Sequence, residues 1–420
     1  MRHADGVPGT PPDHDRADPV RSLRRLRSAD GAAATTRAGQ WQDAGLELLP
    51  GLDRLRAEFG VELAGPAWEL ARLRIRSRPV FGNDADRMFF TADTLEQAGR
   101  PVLAARRSAR LLAGGAGPAA DLGCGAGTDS VALARAGAQV LAVDLDAVAR
   151  ELTAANVAAL GLGDRVEVAA GDAVDLVAAA ADGRVAGCAV AVLDPARRAG
   201  GRRLLDPDRW SPPWSTVCAL LHRVPASVVK VAPGLDHDRV PAGVEAEWVS
   251  VRGSIVEALL WGRGVSSVWR RATVVRGDAV RELTADADPG VAPTGPVRGW
   301  LHEPDPGVIR SGLVSLVAAE LGATLVDPTI AYLTSDDAAP DSPWVASYRV
   351  EDVLPFNLKK LRAHLRSRGI GRVVVKKRGS PIDPETLARQ LRGPGDASAV
   401  VVVTRVAGRP TALVCASPTG

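Results

Sequence analysis

Residues 121–130 read DLGCGAGTDS, a glycine-rich segment. It follows a short apolar run at 117–122 and precedes an Ala-rich helical pattern at 128–136, so it connects a strand to a helix. Glycines in such a connection permit a tight turn and a close approach of the backbone to a ligand at the helix N-terminus. A strand-to-helix turn without a ligand is the alternative. The sequence therefore predicts a nucleotide-like ligand beside three residues: Gly123, Gly125 and Gly127.

Acidic residues follow the next two predicted strands. Asp144 comes after the strand at 138–143, about 20 residues beyond the loop, where a carboxylate accepts hydrogen bonds from both hydroxyls of a ribose. Asp172 follows the strand at 165–169 and is placed to accept a hydrogen bond from an adenine amino group. A helix N-cap is the alternative role for such a carboxylate, but Asp146 suits that role better than Asp144 does.

Asp121 precedes the loop, and the glycines are spaced Gly-x-Gly-x-Gly. In these features, and in the acids after strands two and three, the sequence resembles the class I S-adenosylmethionine-dependent methyltransferases. The resemblance implies a Rossmann-like doubly wound sheet and the cofactor S-adenosyl-L-methionine. A nicotinamide-dependent dehydrogenase is the competing interpretation. The cofactor-binding residues that the resemblance implies are Asp121, Gly123, Gly125, Gly127, Asp144 and Asp172.

The fourth predicted strand, 188–193, leads into Asp194-Pro195-Ala196-Arg197. This motif resembles the Asp/Asn-Pro-Pro-x signature of enzymes that methylate amino nitrogens, and Ala196 departs from its second proline. The resemblance implies that Asp194 and the Pro195 backbone accept hydrogens from the target amino group. Arg197, fixed next to the proline, suits a phosphate contact at the site, and we count it as a third candidate catalytic residue. The motif also resembles a loop of RNA uridine-C5 methyltransferases. Those enzymes need a cysteine after the fifth strand, which here reads ASVVKVAPGLD and contains none.

Basic residues surround this motif. Arg198 suits a phosphate contact because a guanidinium pairs with phosphate through a fixed fork, and Arg202 and Arg203 are either further contacts or a solvated loop. Lys230, in the fifth predicted strand, is the only lysine before residue 359 in an Arg-rich chain. We expect Lys230 to contact a phosphate or the cofactor, although chance retention also explains it.

The C-terminal part holds a basic run without an acidic residue between 359 and 378. Leu358, Leu361 and Leu365 form the apolar face of its helix, and a local basic surface of this kind is typical of RNA binding. A solvated amphipathic helix is the alternative. The candidate substrate-binding residues here are Lys359, Lys360, Lys376, Lys377 and Arg378.

Further segments extend the resemblance over residues 45–420. They are LEQA (95–98), LDPARR (193–198), EPDPGVIRSGLV (303–314), DPTIAYLTSD (327–336) and VVVKKRGSPIDPETL (373–387). Together they resemble a group of bacterial class I methyltransferases that carry a C-terminal THUMP-like domain. True THUMP domains bind RNA beside modifying domains, so the resemblance implies RNA modification.

We therefore expect an α/β protein with a Rossmann-like doubly wound methyltransferase sheet, an N-terminal helical extension and a smaller C-terminal α/β THUMP-like domain. The predicted divisions are a disordered tail (1–40), a helical region (41–113), the methyltransferase domain (114–283), a linker (284–296) and the THUMP-like domain (297–420). Within the first domain we also expect helices at 147–160 and 211–222, a strand at 226–232, and a hairpin of strands 245–250 and 255–261. Within the second we expect helices at 307–321, 357–369 and 383–392 and strands at 344–350, 371–377, 397–405 and 410–416.

The cysteine content and the apolar pattern exclude several classes of protein. The four cysteines show no CxxC spacing, so we expect neither a disulfide framework nor a metal site. We see no signal peptide and no apolar run of membrane-spanning length, and we expect a cytoplasmic protein without a membrane partner, with a monomer favoured. The expected activity is methylation of tRNA or rRNA at a base nitrogen. The alternatives are a small-molecule methyltransferase with a structural C-terminal domain and a non-catalytic RNA-binding protein.

Overall fold

The computed structural model describes residues 18–115, 117–199, 202–204, 206–339 and 341–416. The chain divides into two compact units, one ending at Val229 and the other beginning at Lys230. This division falls inside the predicted domain 114–283, and the predicted domain boundaries stay a prediction. Cys124, Cys188, Cys218 and Cys415 are free thiols.

The first unit begins with helices. The helices before the sheet are α1 (Pro19–Leu26), α2 (Ala29–Asp43), α3 (Leu48–Phe59), α4 (Val61–Phe81), α5 (Ala92–Gln97) and α6 (Pro101–Leu111). The side chains of Asp18 and Ser28 accept hydrogen bonds from the first turns of α1 and α2 and so define where these helices start.

Disorder was the wrong prediction for the part of 1–40 that the structure describes; residues 1–17 lie outside the described residues. Helix α2 was not predicted because its buried face is made of small residues at helical spacing, namely Gly31, Ala34, Thr35 and Ala38. Such a face carries no large apolar side chain that would mark it in the sequence, yet it allows neighbouring helices to approach closely.

Alternating strands and helices follow in the first unit. They are β1 (Ala119–Leu122), α7 (Thr128–Arg135), β2 (Val140–Asp144), α8 (Ala147–Ala159), β3 (Val166–Ala170), α9 (Ala173–Ala178), β4 (Val190–Leu193), β5 (Arg198–Ala199), β6 (Arg202–Arg203), α10 (Trp214–Arg223) and β7 (Ala226–Val231). The parallel strands lie in the order β7-β4-β1-β2-β3. The strand order reverses between β1 and β4, which is where ligands bind in open parallel sheets. The predicted strands and helices of this sheet are confirmed, and α9 was not predicted.

The early helices pack on the sheet through α8. Leu55, Ala67 and Leu70 form one apolar core with Leu152 and Ala155 of α8. At the edge of this core, Glu151 pairs with Arg24 at 3.1 Å and with Arg27 at 2.8 Å. The N-terminal helices are therefore part of the same packed unit as the sheet.

The strands of the second unit form two hydrogen-bonded sets. The elements of this unit are β8 (Glu245–Val251), β9 (Ser254–Trp261), β10 (Arg270–Arg276), β11 (Ala279–Ala285), β12 (Trp300–Pro304), α11 (Pro306–Ser311), α12 (Val314–Glu320), β13 (Thr324–Asp327), β14 (Ile330–Ser335), β15 (Val345–Pro355), α13 (Leu358–Ser367), β16 (Ile370–Lys377), α14 (Pro384–Leu391), β17 (Ala397–Val406) and β18 (Arg409–Ala416). The two sets have the orders β11-β10-β8-β9 and β13-β14-β12-β15-β18-β17-β16. The predicted β8–β9 hairpin is confirmed, and its strands are antiparallel.

Two predictions for the second unit need correction. The helix predicted at 307–321 is divided, because Gly312 adopts a left-handed conformation (φ 78°) that ends α11. The linker predicted at 284–296 begins too early, since β11 continues to Ala285 and pairs with β10. Val308 of α11 shares a core with Ala272 and Val274 of β10, which attaches the β8–β11 strands to the rest of the second unit.

No helix in the described ranges combines the length and the apolar character that a membrane crossing requires. Within the same ranges, no group of three or more His, Cys, Asp and Glu side chains is arranged to hold a metal ion.

Buried His302 makes the stability of the second unit pH-dependent. Its ring nitrogens lie 2.8 Å from Ser347 Oγ and 2.7 Å from Ser335 Oγ, and the Ser335 hydroxyl donates to the Asp337 carbonyl. Because the Ser335 hydroxyl donates to Asp337, the Nε2–H of His302 donates to Ser335. Burial, and after it the positive charge of Arg298, lowers the pKa of His302 to about 4.

We predict that His302→Gln removes one acid-dependent loss of stability. Below the pKa of about 6.5 of an unfolded histidine, the unfolded chain binds a proton that the folded chain excludes until about pH 4, so unfolding becomes easier as the pH falls. Between pH 7 and about pH 4 the wild type should lose about 3 kcal/mol more unfolding free energy than the variant. Denaturant titrations at both pH values measure the difference, and equal losses in the two proteins would contradict it.

Candidate active site

The glycine loop lies at the carboxyl end of β1. Gly123, Gly125 and Gly127 adopt φ values of 80°, 55° and 81°, in the left-handed region that glycine tolerates. The backbone N–H groups of Gly123 and Cys124 donate to the carbonyl of Val143, at 2.8 and 3.1 Å, which ties the loop to the end of β2.

Asp194 is in direct contact with this loop. β1 pairs with β4 so that Leu122 lies opposite Leu193, and the Asp194 N–H donates to the Leu122 carbonyl at 3.1 Å. A Cβ atom at Gly123 would lie 2.8 Å from the Asp194 carbonyl oxygen, a distance that real Cβ atoms essentially never show. The structure thus brings together two motifs that the sequence places about 70 residues apart.

Asp144 and Asp172 line the same edge of the sheet. Asp144 accepts the N–H of Gly125 at 3.0 Å through Oδ2 and the N–H of Asp146 at 2.9 Å through Oδ1. Asp146 caps α8 through the N–H of Val148, as predicted, which leaves Asp144 at the loop. Asp172 caps α9 through the N–H of Val174 at 2.8 Å. It follows Ala170, the residue opposite Asp144 in the β2–β3 register, by two positions.

Asp121 lies beneath the loop rather than in front of it. Its side chain is buried and accepts the Ser130 hydroxyl at 2.5 Å, so it holds the first turn of α7. Burial, and after it the negative charge of Asp121, raises the pKa of Cys124, so the thiol stays neutral and is a poor nucleophile.

Arg107 and Asp129 form a buried ion pair that the sequence analysis missed. The Arg107 Nη2 lies 2.6 Å from the Asp129 Oδ1, and both side chains are less than a tenth exposed. This pair joins α6 to the first turn of α7, next to the glycine loop. In a chain with so many arginines, nothing in the sequence distinguishes Arg107 from its neighbours.

The segment after Asp194 is held by backbone pairing. Pro195 is buried, and Ala196 exchanges backbone hydrogen bonds with Ser211 at 2.7 and 3.1 Å. Arg197 Nη2 lies 4.0 Å from Asp194 Oδ1, which places the two predicted catalytic side chains beside each other. The predicted contact Arg198 is in β5, but its side chain lies outside the described part of the structure, like those of Arg202 and Arg203.

Lys230 is the fifth residue of β7 and is 8% exposed. Val229, which precedes it, lies opposite Leu193 in the β4–β7 register, so Lys230 comes near the carboxyl end of its strand. Its predicted substrate contact is not tested by this placement.

Folding brings acidic partners to the C-terminal basic run. Lys376 Nζ lies 2.6 Å from Glu303 Oε2 and 5.4 Å from the centre of the Tyr348 ring, and Arg378 lies over the Tyr332 ring at 5.3 Å. Burial alone would lower the pKa of Lys376, but its bonds to Glu303 and Tyr348 raise it, so the ammonium stays charged. The basic run contains no acidic residue in the sequence, but in the folded protein Glu303 lies beside its Lys376 and Arg378.

The outer face of α13 is the exposed part of this region. Lys359, Lys360, Arg362 and Arg366 are exposed, whereas Leu361 and Leu365 are buried in the core. Within the described chain, the acidic contacts at this helix are made by His364, which contacts Asp352, and by Arg368, the residue after its last turn, which pairs with Asp352 and Glu351. Lys377, at the end of β16, is also exposed.

Comparison with known proteins identifies the chain. Residues 119–204 match the family described as "Methyltransferase domain", and residues 345–417 match the family described as "THUMP domain-like". An uncharacterized S-adenosylmethionine-dependent methyltransferase of Mycobacterium tuberculosis, from strains H37Rv and CDC 1551, is 34% identical over 379 residues. The alignment covers 86% of this chain and 99% of the relative.

The chain belongs to the S-adenosylmethionine-dependent methyltransferases. A crystal structure from Porphyromonas gingivalis W83, of a protein provisionally named a methyltransferase, has the same fold, with a TM-score of 0.68. It is 18% identical and covers 91% of this chain and 97% of that one. The predicted fold class, enzyme class and cofactor are confirmed.

The site of this methyltransferase fits S-adenosylmethionine. A Cβ at Gly125 would meet no atom within 4 Å, so the middle of the loop is open. Helix α7 starts directly after the loop, at Thr128. An open glycine loop at a helix N-terminus, with carboxylates on the neighbouring strands, suits a ligand that combines a nucleoside with a charged tail.

We predict that Gly123→Ala weakens binding of S-adenosylhomocysteine more than tenfold, because the new methyl group must displace the Asp194 backbone. Gly161→Ala is a matched control: its φ is 75°, but no atom lies within 4 Å of the added Cβ. Both variants share a backbone strain of about 1 kcal/mol. Calorimetric titration of both variants measures the effect, and equal affinities would contradict binding of the cofactor at this loop.

Proposed function

We propose that this methyltransferase modifies RNA, either tRNA or rRNA, at a base nitrogen. The observation that carries the proposal is the exposed basic face of α13 within the THUMP-like region of the same chain. Such a surface neutralises phosphates whatever their sequence, while a separate active site selects the base.

The cofactor would be held by the residues at the carboxyl edge of the sheet. S-adenosylmethionine supplies a methyl group on a positively charged sulfur. In our proposal the Asp144 carboxylate, oriented by the Gly125 N–H, accepts the ribose hydroxyls, and Asp172 accepts from the adenine amino group. Gly123, Gly125 and Gly127 allow the backbone to approach the ligand. Asp121 would act through Ser130, by fixing the first turn of α7.

Asp194 and Pro195 would position the acceptor nitrogen. The Asp194 carboxylate and the Pro195 carbonyl accept hydrogen bonds from an amino group, which aims its lone pair along the line of attack. After methylation the nitrogen gives up a proton, and Asp194 is the base at hand. Arg197, whose Nη2 lies 4.0 Å from Asp194 Oδ1, would hold that carboxylate in position.

The RNA backbone would contact Lys359, Lys360 and Lys377, together with the exposed Arg362 and Arg366 of α13. Lys376 and Arg378 are engaged with Glu303 and two tyrosines, so in our proposal they shape the surface and add charge rather than act as free contacts. Arg198 and Lys230 stay predicted contacts for the target nucleotide.

Asp194→Asn tests the activity in cells. We predict that deletion of the gene removes one methylated nucleoside from total RNA, and that the wild type restores it whereas Asp194→Asn does not, because the amide cannot take up the proton. Mass spectrometry of RNA nucleosides measures this. Unchanged nucleosides, with S-adenosylmethionine binding intact, would contradict the RNA proposal and favour a small-molecule substrate.

The salt dependence of binding tests the surface. Log affinity for tRNA or rRNA falls linearly as log salt rises. Replacing Lys359, Arg362 and Arg366 by Gln should make this slope less steep by about 2, because each lost phosphate contact removes about 0.7–0.9 from its magnitude. The control replaces exposed Arg252, Arg276 and Arg281, which remove the same charge elsewhere in the second unit. If both triple variants change the slope equally, α13 is not the RNA surface.

A further inference from the structure

Asn156 connects the glycine loop to the segment before α5. It lies in α8 and is fully buried. Its Oδ1 accepts the N–H of Phe89 at 2.6 Å, and its Nδ2 donates to the carbonyl of Phe89 at 3.1 Å and to that of Ala126 at 2.8 Å. Both polar atoms of the amide are thus used, and one of the bonds ends inside the glycine loop.

Thr153 lies one turn earlier on the same face of α8 and holds the preceding residue of the loop. Its hydroxyl donates to the carbonyl of Gly125 at 3.0 Å. A Cβ at Gly127 would lie 3.1 Å from Thr153, so the loop also rests directly on this side chain. Thr153 and Asn156 therefore bind two consecutive carbonyls of the loop.

The planarity of the peptide unit gives this arrangement a consequence for the ligand side. In a trans peptide the carbonyl and the following N–H point in opposite directions. Because the Gly125 carbonyl is drawn toward α8, the Ala126 N–H points away from α8. Thr153 thus sets the direction of the Ala126 N–H without touching the ligand itself, and Asn156 fixes the next peptide, whose Gly127 N–H donates to the Cys124 carbonyl at 2.8 Å.

The Phe89 end of the connection reaches the N-terminal helices. Phe89 is buried in the core that α8 shares with those helices. Two residues later, Thr91 and Thr94 form the capping box that starts α5, the helix that carries most of the LEQA segment. Asn156 thereby joins the start of α5 to the glycine loop.

We propose that Asn156 and Thr153 are positioning residues for S-adenosylmethionine, which orient the loop carbonyls of Ala126 and Gly125 and make the segment before α5 part of the cofactor site. This rests on the proposal that the glycine loop holds the cofactor. It does not depend on the identity of the methyl acceptor.

The test is calorimetric titration of the full chain with S-adenosylhomocysteine. We expect Asn156→Ala to weaken binding roughly tenfold and Thr153→Val to weaken it severalfold, since each removes a buried hydrogen bond to the loop. Thr35→Val is the matched control, because it removes a buried hydroxyl bond to the Gly31 carbonyl within α2 and should leave the affinity unchanged. Hydrogen exchange of the loop amides should be faster in Asn156→Ala and Thr153→Val only.

Each outcome decides the inference. Wild-type affinity in both Asn156→Ala and Thr153→Val, while Gly123→Ala loses binding, would show that α8 does not position the loop. Wild-type affinity in Gly123→Ala as well would place the cofactor elsewhere and overturn the loop proposal itself. If Asn156→Ala does not fold, Thr153→Val compared with Thr35→Val carries the test alone, because both change one threonine to its apolar isostere.

Discussion

A side chain at residue 123 would force the backbone to shift, because its Cβ would lie 2.8 Å from the carbonyl oxygen of Asp194. This close approach follows from the register of β1 between β2 and β4, which brings the ends of the three strands level. The glycine loop, Asp144 and Asp194 consequently share one edge of the sheet. The proposed positions of the cofactor and of the methyl acceptor both depend on this contact.

Buried polar side chains hold the glycine loop and the first turn of α7 in place at that edge. Asp121 holds Ser130, Arg107 holds Asp129, and Asn156 holds the loop carbonyl of Ala126. Buried groups of this kind stabilise one arrangement when each has a partner, and they cost stability when a partner is lost. The N-terminal helices contribute to the same support, because they pack on α8.

The features of the site that the sequence predicts are local in the chain. Glycine spacing, the separation of Asp144 from the loop and the cap at Asp146 all follow from short-range pattern, and the structure agrees with them. What the sequence does not reveal depends on tertiary contact. Ala34 and Ala38 give no local sign of burial, because only the packing of neighbouring helices covers them. Nothing in the local sequence distinguishes Asn156 from an asparagine on an exposed helix face. Glu303 is 73 residues from Lys376, so no local pattern predicts their ion pair.

A crystal structure of the protein with S-adenosylhomocysteine would show whether the glycine loop holds the cofactor beside Asp194. We expect the ribose hydroxyls to bind the Asp144 carboxylate, the homocysteine tail to lie along the glycine loop, and the sulfur to face Asp194. A ligand bound away from the loop, or one whose sulfur points away from Asp194, would contradict this expectation.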